Sequence, residues 1–95
     1  MKRPLLTHEE IDGLLRPLND WQTDYKSLTK VFNFRSFAES IVFVNRIAEL
    51  AERMDHHPDI LISYKTVRLN LTTHSQGGLT TLDFEFAEAV KEKKN

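Results

Sequence analysis

Residues 36–74 read SFAESIVFVNRIAELAERMDHHPDILISYKTVRLNLTTH, which puts a long helix, its termination and two strands into one stretch. Ser36 followed by Glu39 has the form of a capping box, in which a cap hydroxyl and a carboxylate three residues on satisfy backbone N–H groups at a helix start. No glycine or proline interrupts the segment before Pro58, so a helix is predicted over residues 36–54. Phe37, Ile41, Val44, Ala48 and Ala51 fall on one stripe of it, and Phe43, Ile47, Leu50 and Met54 on an adjacent stripe. Together they cover about half the circumference, wider than the roughly 100° stripe of a helix with one buried face. One side is expected to pack on a sheet and the other on a second subunit. The proline after His57 restricts that histidine to extended backbone angles, so the helix should stop at the His56-His57 pair.

Beyond the pair, residues 60–63 and 67–73 read as strands, the second with Val67, Leu69 and Leu71 on one face and Arg68, Asn70 and Thr72 on the other. His74 is expected to close that strand on its polar parity. Ser75-Gln76-Gly77-Gly78 is a turn, and Thr80 or Thr81 opens a last helix containing Leu82, Phe86 and Val90, with residues 91–95 a frayed, solvated tail. Upstream, Thr7-His8-Glu9-Glu10 is another capping box, followed at helical spacing by Ile11, Leu14, Leu15 and Leu18, which predicts a helix over residues 7–15. Pro17 and Asn19 break the pattern. Residues 21–25 and 28–34 then read as a hairpin around Lys26-Ser27, with Leu28, Lys30, Phe32 and Phe34 on one face of its second strand. The order helix, strand, strand, helix, strand, strand, helix predicts an α+β fold with a four-stranded antiparallel sheet covered on one face by helices.

The chain has 95 residues, 40% hydrophobic and 28% charged, which fits one globular domain over residues 1–95 and neither disorder nor a fibrous repeat. Its net charge of −1 supplies no field to draw it onto nucleic acid or an anionic membrane. The longest apolar run, residues 41–44, is far too short to span a bilayer, and no apolar signal segment follows Lys2 and Arg3, so a cytosolic location is expected. The absence of cysteine removes disulfides, thiolate nucleophiles and cysteine metal sites.

Three of the 4 histidines share one frame, Glu52-x-x-x-His56-His57-Pro58 followed by Tyr64, His74 and Asp83. Imidazole is the side chain best poised for proton transfer near neutral pH. Each residue also has a structural reading. The histidine pair could simply end a helix, where a cation at the negative pole is worth about 0.3–1 kcal/mol. His74 could be a surface turn residue, Asp83 could neutralise the first turn of the last helix, and Trp21 and Tyr64 could serve packing alone. His8, in the first capping box, is expected to be solvated surface. A zinc site is disfavoured, because adjacent residues such as His56 and His57 project in different directions, unlike the i, i+4 pair of helical zinc sites.

Glu52-x-x-x-His56-His57-Pro58, Tyr64, Val67, Leu71-x-Thr73-His74, Gly77-Gly78-Leu79-Thr80 and Asp83-x-x-Phe86-Ala87 together resemble the signature of the pterin-4a-carbinolamine dehydratases. Trp21, Lys30-x-Phe32-x-Phe34-x-x-Phe37 and Ala48-x-x-Ala51-Glu52 extend the resemblance over nearly the whole chain. Lys65 follows Tyr64 where that family commonly has asparagine, Lys30 stands where arginine is common, and Phe86 replaces a frequent leucine; no motif histidine is lost. The resemblance implies an α+β fold, homodimers or homotetramers joined through the long helix and the sheet edges, and no metal or bound cofactor. It further implies dehydration of a 4a-hydroxytetrahydropterin to the quinonoid dihydropterin, as in tetrahydrobiopterin recycling.

On that reading His56, His57 and His74 lie in the pterin pocket. Losing water from C4a needs a proton delivered to the hydroxyl and one withdrawn from N5, and an imidazole of ordinary pKa about 6.5 serves either role. His56 and His57 are assigned to acid and base in no fixed order, and His74 to holding the hydroxyl. Glu52, Pro58 and Asp83 orient the histidines or the substrate. The alternative is a protein-binding, assembly or coactivator module using the helical oligomer surface, but a specialised non-catalytic relative should have lost a motif histidine.

Overall fold

The computed structural model describes residues 3–93; Met1, Lys2, Lys94 and Asn95, and with them the end of the tail expected to fray, lie outside the described residues. Among the described residues the chain runs α1 (His8–Leu15), a 3-10 turn (Arg16–Leu18), β1 (Gln22–Thr23), β2 (Leu28–Asn33), α2 (Phe37–Met54), β3 (Asp59–Ser63), β4 (Thr66–Leu71), a second 3-10 turn (His74–Gln76) and α3 (Thr81–Val90). The strands form one antiparallel sheet in the order β1-β2-β4-β3. The fold is α+β in the expected element order, with β1 shortened to two residues.

Register decides which face is apolar. Leu28 pairs with Leu71 and Phe32 with Val67, while the alternate pairs are Thr29 with Asn70, Val31 with Arg68 and Asn33 with Thr66. Because side chains alternate along a strand, the first set points to one side and the second to the other. Leu28, Phe32, Val67, Leu69 and Leu71 are buried with Phe43, Ile47 and Leu50 of α2 and with Phe86, Ala87 and Val90 of α3. Full burial of one such side chain contributes about 1.5–3 kcal/mol. Phe43 packs against Phe32 and Phe34 at ring separations of 4.7 and 5.1 Å, and Trp21 meets Phe32 edge-on at 6.2 Å.

The two stripes of α2 therefore part company. Phe43, Ile47 and Leu50 are buried, as is Ala51 at the end of the other stripe, whereas Phe37 is 51% and the neighbouring Val42 49% exposed, with Ile41 and Val44 only half-buried. The Ser36 cap is one-sided: its hydroxyl accepts the Glu39 N–H, but the Glu39 carboxylate reaches past the cap to the Arg35 N–H instead of closing the box. Both halves of the Thr7–Glu10 box are present. Tyr64, expected to pack, is 66% exposed on the β3–β4 turn at φ 52, because this turn needs a left-handed residue there and so points its side chain outward. His8 is exposed and stacks on the Tyr25 ring at 4.1 Å.

The β1–β2 turn is organised by Asp24, whose Oδ1 accepts the Lys26 and Ser27 N–H groups at 2.9 and 2.8 Å and the Ser27 hydroxyl at 3.1 Å. The Lys26 N–H, followed by that of Ser27, holds the Asp24 carboxyl below its ordinary value of 3.8. A depressed carboxyl pKa gives stability that is complete above the unfolded-state value and lost as pH falls through the folded-state one. Asp24→Ala is expected to lower the unfolding free energy at neutral pH by about 0.5–1 kcal/mol, a modest loss because the turn is exposed. The gap from wild type should close as urea titrations are repeated below pH 3.8.

Candidate active site

The α2 helix ends by backbone hydrogen bonding as much as by Pro58. Asp55 takes a left-handed conformation, φ 50 and ψ 46, and its N–H donates to Glu52 O while the His56 N–H donates to Ala51 O at 3.0 Å. This crossed pair closes the helix in the Schellman manner, with aspartate among the few non-glycine residues that tolerate the left-handed region. The reversal carries His56 back over the core. It is 7% exposed, and its ring lies edge-on to Phe86 at 5.9 Å.

His56 Nε2 is 2.6 Å from Oδ1 of Asp83, a carboxylate with 0% exposure. Asp83 also sits three residues into α3, behind the cap Thr80, and its Oδ2 accepts the Thr80 N–H at 3.0 Å and the Thr73 hydroxyl at 2.8 Å. Oδ2 accepts two donors, and a carboxylate oxygen accepts rather than donates. The proton of the His56–Asp83 bond then belongs to Nε2, leaving Nδ1 as the ring's remaining functional atom. Among the described residues every fully buried side-chain nitrogen or oxygen has a partner, and His56 bonds through Nε2, so Nδ1 opens to the surface.

His57 points elsewhere. It is exposed, and its Nε2 lies 2.5 Å from Oε2 of the still more exposed Glu52. Pro58 is half-buried between this pair and the start of β3. His74 does not close a strand: β4 stops at Leu71, and His74 opens the second 3-10 turn with its side chain exposed. The reason is the glycine pair downstream. Gly77, at φ 75, folds the chain back so that Thr73 N–H bonds Gly78 O at 2.9 Å, and Thr73 O accepts the Gln76 and Gly77 N–H groups. A strand cannot continue through a turn closed this way.

The structure thus brings together His56, Asp83, Thr73 and Thr80, with His74 next in chain to Thr73; His57 with Glu52 forms a separate pair. Thr73 and Thr80 were not singled out as candidates in the sequence. The [ST]-x-x-[DE] spacing of Thr80-Thr81-Leu82-Asp83 was a readable signal for the cap; the reach from Thr73 to Asp83 had none. Among the described residues no three His, Asp or Glu side chains are grouped to hold a metal ion. A depression of about 350 Å³ lies on the open sheet face, lined by Gln22, Asp24, Thr29, Arg68 and Asn70 among others, and none of the histidines borders it.

This fold, with a histidine–carboxylate unit at the α2 terminus, defines a class. The family model described as pterin 4 alpha carbinolamine dehydratase matches residues 4–93. The chain belongs to the pterin 4 alpha carbinolamine dehydratase family. It is 46% identical over 89 residues to a protein of Gloeobacter violaceus provisionally named pterin-4-alpha-carbinolamine dehydratase 2, covering 90% of this chain and 97% of that one. A crystal structure described as a transcriptional coactivator/pterin dehydratase from Brucella melitensis superposes with a TM-score of 0.90 at 34% identity, covering 97% of this chain and 100% of that one. A pterin dehydratase-like protein described as a RuBisCO assembly factor in the alpha-carboxysome superposes with a TM-score of 0.65 at 26% identity, over 79% of this chain and 87% of that one.

The two carboxylates differ in what their removal leaves behind. Asp83→Ala strands a backbone N–H, a hydroxyl and a buried imidazole, and is expected to lower the unfolding free energy by about 3 kcal/mol. Glu52→Ala, at an exposed pair, is expected to change it by less than about 0.5 kcal/mol. Urea unfolding of the two variants beside wild type measures the contrast.

Proposed function

We propose that this protein is a hydro-lyase that removes water from a 4a-hydroxytetrahydropterin. One imidazole delivers a proton to the 4a-hydroxyl, the C4a–O bond breaks with its electrons leaving on water, and a second imidazole takes the N5 proton as the N5=C4a bond of the quinonoid dihydropterin forms. Protons and electrons balance, and no net acid or base is consumed. His56 and His57 take the acid and base roles in either order, His74 holds the hydroxyl, and Glu52, Pro58 and Asp83 orient them. The observation that carries this reading is the buried Asp83 carboxylate on His56 Nε2, which leaves Nδ1 of a fixed ring open to the surface. A carboxylate behind an imidazole fixes its tautomer and orientation, as general acid–base catalysis requires. The family match supports the reaction class.

A cytosolic site of action and a place in tetrahydrobiopterin recycling belong to the same proposal; among the described residues no helix is long and apolar enough to cross a membrane. So does self-association through α2 and the sheet edges. Phe37 and Val42 expose apolar surface along α2, and Leu61 and Ile62 do so on the edge strand β3. The same α2 surface favours one second reading, a binding or assembly role, which the RuBisCO assembly factor of similar fold brings forward.

Stopped-flow absorbance of freshly generated 4a-hydroxytetrahydropterin tests the enzyme. Wild type should accelerate dehydration, with a rate that falls on both sides of the imidazole range, and the His57→Ala, His74→Ala double variant should lose about 10²- to 10⁴-fold. No acceleration by folded wild type would transfer the proposal to the assembly role. In sedimentation velocity, wild type should run as a dimer or tetramer, and Phe37→Asp should shift it toward smaller species; a wild-type monomer would remove the oligomer from the proposal.

A further inference from the structure

The hydrogen atoms around Asp83 can be placed one by one. A threonine hydroxyl has a single proton to donate. Thr73 Oγ1 donates to Asp83 Oδ2 at 2.8 Å, so the Thr73 proton lies in that bond. Thr73 Oγ1 is also 2.9 Å from Thr80 Oγ1, and Thr80 must be the donor there. Thr80 Oγ1 in turn accepts the Leu82 N–H at 3.3 Å. The chain thus runs in one direction: Leu82 N–H to Thr80, Thr80 to Thr73, Thr73 to Asp83. With Oδ2 occupied by Thr73 and by the Thr80 N–H, Oδ1 is left facing His56.

We infer that Thr73 is a positioning residue that locks His56 in its Nε2–H tautomer through Asp83 and ties that lock to the turn carrying His74. The inference rests on the dehydratase reading and adds to it a residue whose side chain hydrogen-bonds to Asp83 and Thr80 and to neither histidine ring. Both backbone groups of Thr73 are committed to closing the His74 turn: its N–H bonds Gly78 O and its carbonyl accepts Gln76 and Gly77 N–H. Its side chain reaches across to the buried carboxylate that holds His56. One residue therefore sets the relation between a histidine at the end of α2 and a histidine after β4. The stiff χ1 of a β-branched side chain suits that task.

Thr73→Val keeps shape and volume while removing the hydroxyl, and Thr73→Ser restores the hydroxyl without the branch. Two readouts are needed: dehydration kinetics, and the ring ¹⁵N shifts of His56 in two-dimensional NMR, which report the tautomer whether or not the protein is an enzyme. Wild type and Thr73→Ser should show the Nε2–H pattern. Thr73→Val should add the Nδ1–H pattern and lose about tenfold in kcat with KM changed by less than about threefold, while Thr73→Ser retains most of the rate. A role confined to stability would lower the unfolding midpoint of Thr73→Val but leave kcat and the ¹⁵N pattern of its folded form as in wild type, and that result overturns the inference. So does an Nδ1–H pattern in wild type. If wild type shows the Nε2–H lock but does not accelerate dehydration, the dehydratase reading fails and the kinetic part of the inference with it, whereas a wild type that accelerates dehydration without the Nε2–H lock sinks the inference alone.

Discussion

An ionised carboxylate removed from water costs several kcal/mol unless its oxygens are supplied with donors, and Asp83 is supplied from three directions. His56 arrives from the end of α2, Thr73 from the exit of β4, and the Thr80 N–H from the start of its own helix. None can be moved without exposing a need in the others. The sheet and its helices place the end of α2 over the beginning of α3, and Asp83 converts that placement into a defined imidazole orientation. The same carboxylate completes the α3 cap, so helix initiation and histidine orientation share one group.

The apolar layer explains why these termini meet. β2 and β4 present Leu28, Phe32, Val67, Leu69 and Leu71 to one side, and α2 and α3 cover them with Phe43, Ile47, Leu50, Phe86 and Val90. Packed side chains of that size leave little freedom in how the helices lie. Phe86 contributes to both levels, as core and as the ring against which His56 stands. On the outer side of α2, Ala51 and Val44 still pack on this layer, whereas Phe37 and Val42 stay about half exposed.

Membership of the family narrows chemistry more than the fold does. Solved relatives of this fold are described both as a coactivator/dehydratase and as an assembly factor, so the architecture alone does not choose between catalysis and binding. The proposed catalysis rests on particulars of the site: a buried histidine held through one ring nitrogen by Asp83, which Thr73, the neighbour of His74, also reaches.

Local pattern in the sequence determined the elements. Capping residues, a helix free of glycine and proline, alternation in β2 and β4 and the His-His-Pro stop all act within a few residues, where propensity and sterics are decided by near neighbours. The histidine frame was legible for the same reason, since Glu52 to Pro58 lies on one helix end. Only the tertiary structure decided which carboxylate meets which histidine, that His74 leaves the strand for a turn, that Tyr64 faces solvent, and which α2 stripe is buried. Those outcomes depend on contacts such as His56 to Asp83, 27 residues apart, and on strand register. Such contacts form because packing brings distant segments together, and no local periodicity encodes them.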